Sequence, residues 1–495
     1  MAPDSPFPLV ERPPPAANCR LGGGCGAGAS HDLPALPDAV LEKVKRHPCY
    51  AEDAHHHFAR MHVAVAPACN IQCHYCNRKY DCANESRPGV ASERLTPAQA
   101  VRKVQAVAAR LPQLSVVGIA GPGDPLANPD RTFATLELIK AAVPDVRLCV
   151  STNGLALPES VHRLVDLGIE HVTVTVNMVD PAVGERIYPW VMVDGRPVAG
   201  REASRILSER QLAGIEALAT RGVLVKVNSV VIPGVNDSHL PEVSRKVRSV
   251  GAFLHNVMPL LCAPEHGTHF GLTGQREPTR QELERVQAAC AGDARVMRHC
   301  RRCRADAVGL LGHDRGPEFT LAAIAGGPDR DGGPDRARHR ATVERRRATN
   351  AAAREIALAA ARDLPAGLVA RVAVATRGDG LVNQHFGHAR EFQVYDASRD
   401  GVRLVGPRGV AHYCRGGDGE EDALDAILRA LSDCVAVLVA RVGSCPREAM
   451  EEAGIEVVDR YAFEPIDAAV LSWLREHAER PGASTRVPAN AREVA

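Results

Sequence analysis

Cys69, Cys73 and Cys76 stand in a C-x3-C-x2-C pattern in the segment Ala66-Pro-Ala-Cys-Asn-Ile-Gln-Cys-His-Tyr-Cys-Asn77. Soft thiolate sulfur suits iron–sulfur clusters, and three thiolates on one loop can each take one iron of a [4Fe–4S] cube. The fourth iron is then left without a protein ligand and is open to a chelating molecule. The competing use of such cysteines is a structural zinc site. Zinc usually takes four closed ligands from paired CxxC units, and this spacing is different.

More cysteines remain than one cluster needs. The chain has 15, five of them between Cys49 and Cys82. Cys49 lies in His47-Pro-Cys-Tyr50, Cys82 follows the triplet, and Cys149, Cys262 and the pair Cys300/Cys303 come later. Cys49, Cys82 and Cys149 make a second candidate site, with His55, His56 or His57 as a nitrogen ligand. Cys300 and Cys303 make a third, against the alternatives of a zinc clasp or a redox pair. Cys290 and Cys434 read as small buried apolar residues.

These residues need a scaffold that brings them together. Strand-like segments at 62–66, 115–120, 146–151, 171–177, 223–232 and 252–258 alternate with helical patterns at 96–110, 131–142, 158–166, 201–220 and 239–249. Six such units predict an α/β fold, a partial (β/α)6 barrel whose chemistry gathers at the C-terminal ends of its strands. The triplet directly follows the first strand. Further candidate contacts for a small cofactor are Tyr75, the turn Gly121-Pro-Gly123-Asp124 after strand two, Ser151 and Asn153 after strand three, and Asn228 and Ile232 on strand five.

The domain plan is a disordered tail over 1–40, the barrel domain with its extra cysteines over 41–312, a linker over 313–368, a smaller α/β domain over 369–478 and a tail over 479–495. The linker contains Gly-Gly-Pro-Asp-Arg twice and passes into an arginine-rich run, Arg336 to Arg347, read as an exposed, solvated helix. Net charge is +1, which gives no broad basic field for nucleic acid. Neither a secretory leader nor a membrane-spanning apolar run is apparent, so the expected location is the cytoplasm, where thiols stay reduced.

Two resemblances sharpen this reading. The triplet with an aromatic residue before its last cysteine resembles the radical S-adenosylmethionine (SAM) signature. In that superfamily the open iron chelates the amino and carboxylate groups of SAM, and an electron from the cluster cleaves the sulfonium to a deoxyadenosyl radical. The stretch from His47 to Gly89, with Gly118–Asn128, Met258–Thr268 and Cys300–Gly312, closely resembles the NifB family of nitrogenase-cofactor biosynthesis proteins over roughly residues 45–312. Arg371–Thr376 and Asn383–Phe392 resemble the NifX-like domain, of RNase H-like fold, with His385, His388, Cys414 and Cys445 as candidates for holding a cofactor.

The NifB resemblance implies a reaction in which two [4Fe–4S] substrate clusters are fused into an eight-iron, carbide-centred precursor, NifB-co. The carbon comes from a SAM methyl group, and a second SAM supplies the radical that abstracts hydrogen from it. One sulfide comes from outside. Implied partners are a NifU-like scaffold delivering clusters, NifX and NifEN-like acceptors of the product, and an electron donor such as a ferredoxin, with neither nucleic acid nor membrane involved.

Overall fold

The computed structural model describes residues 37–77, 93–292, 295–300, 303–326, 331–410, 413 and 420–480. Cys82 and Cys414 lie outside them, as does most of each expected tail.

Six strands form a parallel sheet: β1 (Ala59–His62), β2 (Leu114–Ile119), β3 (Arg147–Thr152), β4 (His171–Thr175), β5 (Leu224–Val231) and β6 (Leu254–Pro259), side by side in chain order. A two-residue strand, β7 (Val308–Gly309), pairs antiparallel with β1 at the open edge. The helices α1 (Pro97–Arg110), α2 (Pro129–Ala142), α3 (Leu157–Asp166), α4 (Gly200–Ala219) and α5 (Leu240–Ser249) fall between successive strands. This is the partial (β/α)6 barrel. Helix α1 starts where its sequence demands, with a Thr96/Gln99 capping box and Pro97 in the first turn.

Alternation along the strands makes two faces. Met61, Val117, Ile119, Val150, Val172, Val174, Val225 and Val227 pack beneath the helices in one large core. The residues between them point inward, and many are polar: Arg60, His62, Cys149, Ser151, Thr173 and Lys226. The hydrophobic effect pins the outer face, which leaves the inner face free to carry chemistry.

Two short elements extend this plan. A hairpin, Trp190–Val193 with Arg196–Ala199, turns through Asp194 and Gly195, both at positive φ. It forms a three-stranded sheet with Ile71–Gln72 of the triplet loop. A further helix, α6 (Arg280–Ala291), precedes the Cys300 segment.

The linker expectation is corrected over residues 333–361, which form one 29-residue helix, α7. Three of its arginines, Arg336, Arg340 and Arg347, are paired across elements rather than solvated. Arg336 grips Asp145 through two bonds of 2.9 and 2.6 Å and the Ala108 carbonyl at 2.6 Å. Arg347 reaches Asp53 and the Lys45 carbonyl at 2.5 and 2.6 Å. Val343 packs with Cys49 and Phe58, while Ala357 and Ala361 enter the core of the smaller domain. The helix is therefore a strut common to both domains.

The smaller domain has a five-stranded sheet of β8 (Val369–Val374), β9 (Glu391–Ser398), β10 (Gly401–Gly409), β11 (Ala436–Leu438) and β12 (Glu456–Val458) in the order β10-β9-β8-β11-β12. The first three strands are antiparallel neighbours, and β8, β11 and β12 run parallel. This is the expected RNase H-like order. Helix α8 (Ile466–Ala478) packs along α7 and buries Trp473. Among the described residues no helix is long and apolar enough to cross a membrane.

Candidate active site

The triplet loop leaves β1 and is held from several directions. Gln72 Nε2 donates to the carbonyls of Cys73 and Cys76 at 3.0 and 2.9 Å, which closes the loop on itself. His74 N donates to the Ile187 carbonyl at 2.9 Å, and Asn77 Nδ2 donates to the carbonyls of His266 and Gly267. The turn after β2 braces the other side, with Gly123 N on the Ala66 carbonyl at 2.6 Å and Asp124 N on the Ala68 carbonyl at 2.8 Å. A Cβ at Gly123 would lie 2.1 Å from the Ala68 oxygen, so only glycine lets the two backbones approach this closely.

Within this frame Cys69, Cys73 and Cys76 join one cluster with Tyr75 and Ile71. Burial, then the neighbouring Cys76 and Cys69 sulfurs, push the Cys73 thiol well above its ordinary range. Three thiolates held that close repel one another, and bound iron removes the repulsion. Among the described residues no three His, Cys, Asp or Glu side chains close round a single ion. The donor set suits a cluster, which takes one thiolate per iron. An open cavity of about 530 Å³ borders the loop, with Cys73, His74, Cys76, Trp190 and His269 on its wall.

The structure sorts the other expected cofactor contacts. Asn153 lies beside the triplet: its Nδ2 donates to Asn70 Oδ1 at 2.7 Å and reaches Cys69 Sγ at 3.7 Å. Ser151 faces the barrel interior, its hydroxyl buried and without a hydrogen-bond partner among the described residues. Asn228 Oδ1 accepts from Asn256 Nδ2, which in turn reaches Cys300 Sγ at 3.4 Å. The remaining positions serve as braces. Asp124 is wholly buried, and its carboxylate accepts from Leu126 N, Thr152 Oγ1 and Asn153 N. Gly121 packs against Ala305. Ile232 is buried, with its N–H on Asn236 Oδ1. The Tyr75 hydroxyl accepts from Asn177, which also donates to Tyr188, each at 2.8 Å.

A second constellation sits lower in the barrel. Cys49, His62 and Cys149 line one interior pocket with Arg60, Ser151 and Lys226. Gly118 makes the room: a Cβ there would lie 2.7 Å from Cys149 Sγ and 3.1 Å from His62 Cδ2. His62 Nδ1 lies 3.0 Å from the Arg304 carbonyl. That acceptor favours the tautomer with the proton on Nδ1.

The structure places the expected run His55, His56 and His57 beside the smaller domain. His57 lies between Asp53 and Asp379, at 3.4 and 3.3 Å. His55 Nε2 is 3.2 Å from Gln393 Nε2, and the His56 carbonyl accepts from Asp379 N. His62 belongs to the pocket because it points inward from β1, two residues from Arg60. The available signal was that alternation, hidden by a strand expectation placed three residues too late.

The third pair adjoins both groups. Cys303 Sγ accepts from Arg60 Nε at 3.0 Å. Cys300 packs against the core that holds the triplet and also against the core that holds Cys49. Cys262, by contrast, donates its thiol to the Gln275 carbonyl at 2.8 Å.

Comparisons with known proteins identify the families to which the two domains are similar. Residues 63–247 match the radical SAM superfamily, and residues 369–476 match the dinitrogenase iron-molybdenum cofactor family. The chain is 56% identical over 462 residues to FeMo cofactor biosynthesis protein NifB of Herbaspirillum seropedicae, covering 93% of this chain and 88% of that protein. It is 55% identical over 480 residues to the Azotobacter vinelandii protein of the same name, covering 92% and 94%. The chain belongs to the NifB family. It is a radical SAM enzyme of FeMo-cofactor biosynthesis, and the superfamily implies a [4Fe–4S] cluster and SAM. Among solved structures, the FeFe-hydrogenase maturase HydG from Carboxydothermus hydrogenoformans aligns at 16% identity and a TM-score of 0.35, covering 51% of this chain and 55% of that one.

The NifX-like domain of this NifB-family chain sets two of its candidates side by side. The His385 and His388 rings are 4.8 Å apart. Exposed Cys445 receives the Tyr413 hydroxyl at 3.7 Å.

Proposed function

We propose that this enzyme fuses two [4Fe–4S] substrate clusters, with a SAM-derived carbon and an external sulfide, into the eight-iron precursor NifB-co. The observation that carries this reading is the position of Cys300, which touches both the triplet's core and the core of Cys49. Two sets of soft ligands, Cys49/His62/Cys149 and Cys300/Cys303, thereby converge beside a radical-generating loop. When bound, the triplet cluster supplies the electron that cleaves SAM. Cys69, Cys73 and Cys76 would hold that cluster, Asn153 would orient the loop through Asn70, and Gly118 would keep the second site open.

The auxiliary sets bind substrate rather than a resident cofactor. Among the described residues each presents fewer protein ligands than a closed cluster site, which suits clusters that must arrive and leave as a fused product. A NifU-like scaffold would deliver them, a ferredoxin would supply electrons, and NifX or NifEN-like proteins would accept the product. Anaerobic incubation of the full chain with SAM and dithionite tests the reading. Release of both S-adenosylhomocysteine and 5′-deoxyadenosine is expected, one from methyl transfer and one from radical formation. A cluster carrier would release neither, and a chain yielding only 5′-deoxyadenosine would lack the carbon-transfer half.

A further inference from the structure

Bringing two thiolate-ligated clusters together places two anions side by side in a water-poor interior. Like charges repel strongly where water is excluded, and a buried charge persists only when it is paired. The barrel interior answers with cations. Arg60 is 2% exposed and Lys226 3% exposed, and both face the pocket of Cys49, His62 and Cys149.

Arg60 occupies the boundary between the two auxiliary groups. Its Nε donates to Cys303 Sγ at 3.0 Å, and its Nη1 donates to the Gly309 carbonyl at 2.7 Å. On its other side lies the pocket containing Cys49 and Cys149. Among the described residues Arg60 makes no ion pair with a carboxylate. A guanidinium withdrawn from water and aimed at sulfur is poorly explained by packing alone, since an apolar side chain of similar volume would fill the same space.

We propose that Arg60, assisted by Lys226, is the positioning residue that bridges the two substrate-cluster sites, neutralising their mutual repulsion so that both are held next to each other for fusion. This rests on the two-cluster reading above. Arginine suits the task because its planar fork can donate to sulfur on one side while anchored to the Gly309 carbonyl on the other. Lys226, on the inner face of β5, adds a second positive charge to the same pocket.

The test uses the full chain, reconstituted anaerobically, as wild type, Arg60→Met, Arg60→Lys and Lys226→Met. Iron content, EPR of each cluster, the auxiliary reduction potentials and fused-cluster yield are read together. Arg60→Met should keep the triplet's SAM-responsive signal, shift the auxiliary potentials to more negative values, and lower fusion roughly tenfold or more, as for a removed buried charge partner. Arg60→Lys should restore much of the potential, because it restores the charge.

Fusion at the wild-type rate in folded Arg60→Met overturns the proposal, and so does an Arg60→Lys chain as impaired as Arg60→Met. If Arg60→Met does not fold, Lys226→Met decides, because that side chain lies on a different strand. Its unchanged auxiliary potentials would reject the bridge, and a negative shift would support it. A wild-type chain that binds iron only at the triplet would instead reject the two-cluster reading itself, and the bridge with it.

Discussion

At the scale of single residues, the pocket of Cys49, His62 and Cys149 exists because position 118 has no side chain. A methyl group there would sit 2.7 Å from Cys149 Sγ, inside any permitted contact distance. Gly118→Ala should therefore displace Cys149 or His62, at an overpacking cost of about 1–3 kcal/mol. The expected result is loss of that pocket's share of the auxiliary iron with SAM cleavage at the triplet retained, measured by iron analysis and 5′-deoxyadenosine release on one preparation. Full auxiliary iron in that variant would show that the pocket does not hold a cluster. The triplet itself was legible in the sequence because its spacing is local to one loop. His62 was not, because its role depends on which way β1 faces. The apolar run Val63–Ala66 drew the expected strand forward, while the paired strand is Ala59–His62.

At the scale of elements, the barrel strands and helices fell close to their expected bounds, since each carries strong periodicity. The arginine-rich run was expected as a helix and forms one, α7, but its Gly- and Pro-rich start suggested a flexible linker and its arginines suggested solvent. Tertiary ion pairs decided otherwise. Arg336 and Arg340 beside Asp145 hold its carboxyl down at about 2, from an ordinary 3.8, against a desolvation that would raise it. A depressed carboxyl contributes stability that is present above the unfolded value and lost as pH falls through the folded one. Wild type should thus lose stability between about pH 4 and 2 more steeply than Arg336→Ala. At neutral pH the variant should cost roughly 1–2 kcal/mol, below the ~3–5 of a fully buried pair because Asp145 is partly exposed. Urea unfolding across that pH range measures both, and parallel curves would contradict the strut's ion-pair anchor.

At the scale of the whole molecule, the NifX-like domain leans on the segments that lead to the auxiliary ligands. Asp379 and Gln393 contact His57 and His55. His55 in turn stacks on His299, the neighbour of Cys300, with ring centroids 5.0 Å apart. The triplet loop depends on other supports: the Trp190–Ala199 hairpin, the Gly121–Asp124 turn and the Gly267 segment. A chain ended after residue 326 should keep reductive SAM cleavage within a few-fold of the full chain but lose auxiliary iron, because the His55–Phe58 and Arg298–Cys300 segments lose their cover. Parallel assays of 5′-deoxyadenosine and iron would check this, and equal loss of both would place the smaller domain's influence on the triplet as well. The sequence resemblance separated the two domains but gave no sign of this contact, since it joins residues more than 300 positions apart.

The account rests most directly on a cluster at Cys69, Cys73 and Cys76 with one iron free for SAM. EPR of the anaerobically reduced full chain, recorded with and without SAM for wild type and Cys73→Ala, measures that claim. A reduced-cluster signal that changes when SAM is added to wild type, and has no counterpart in Cys73→Ala, is the predicted result. A wild-type signal indifferent to SAM, or a chain holding one zinc and no reducible cluster, would contradict it.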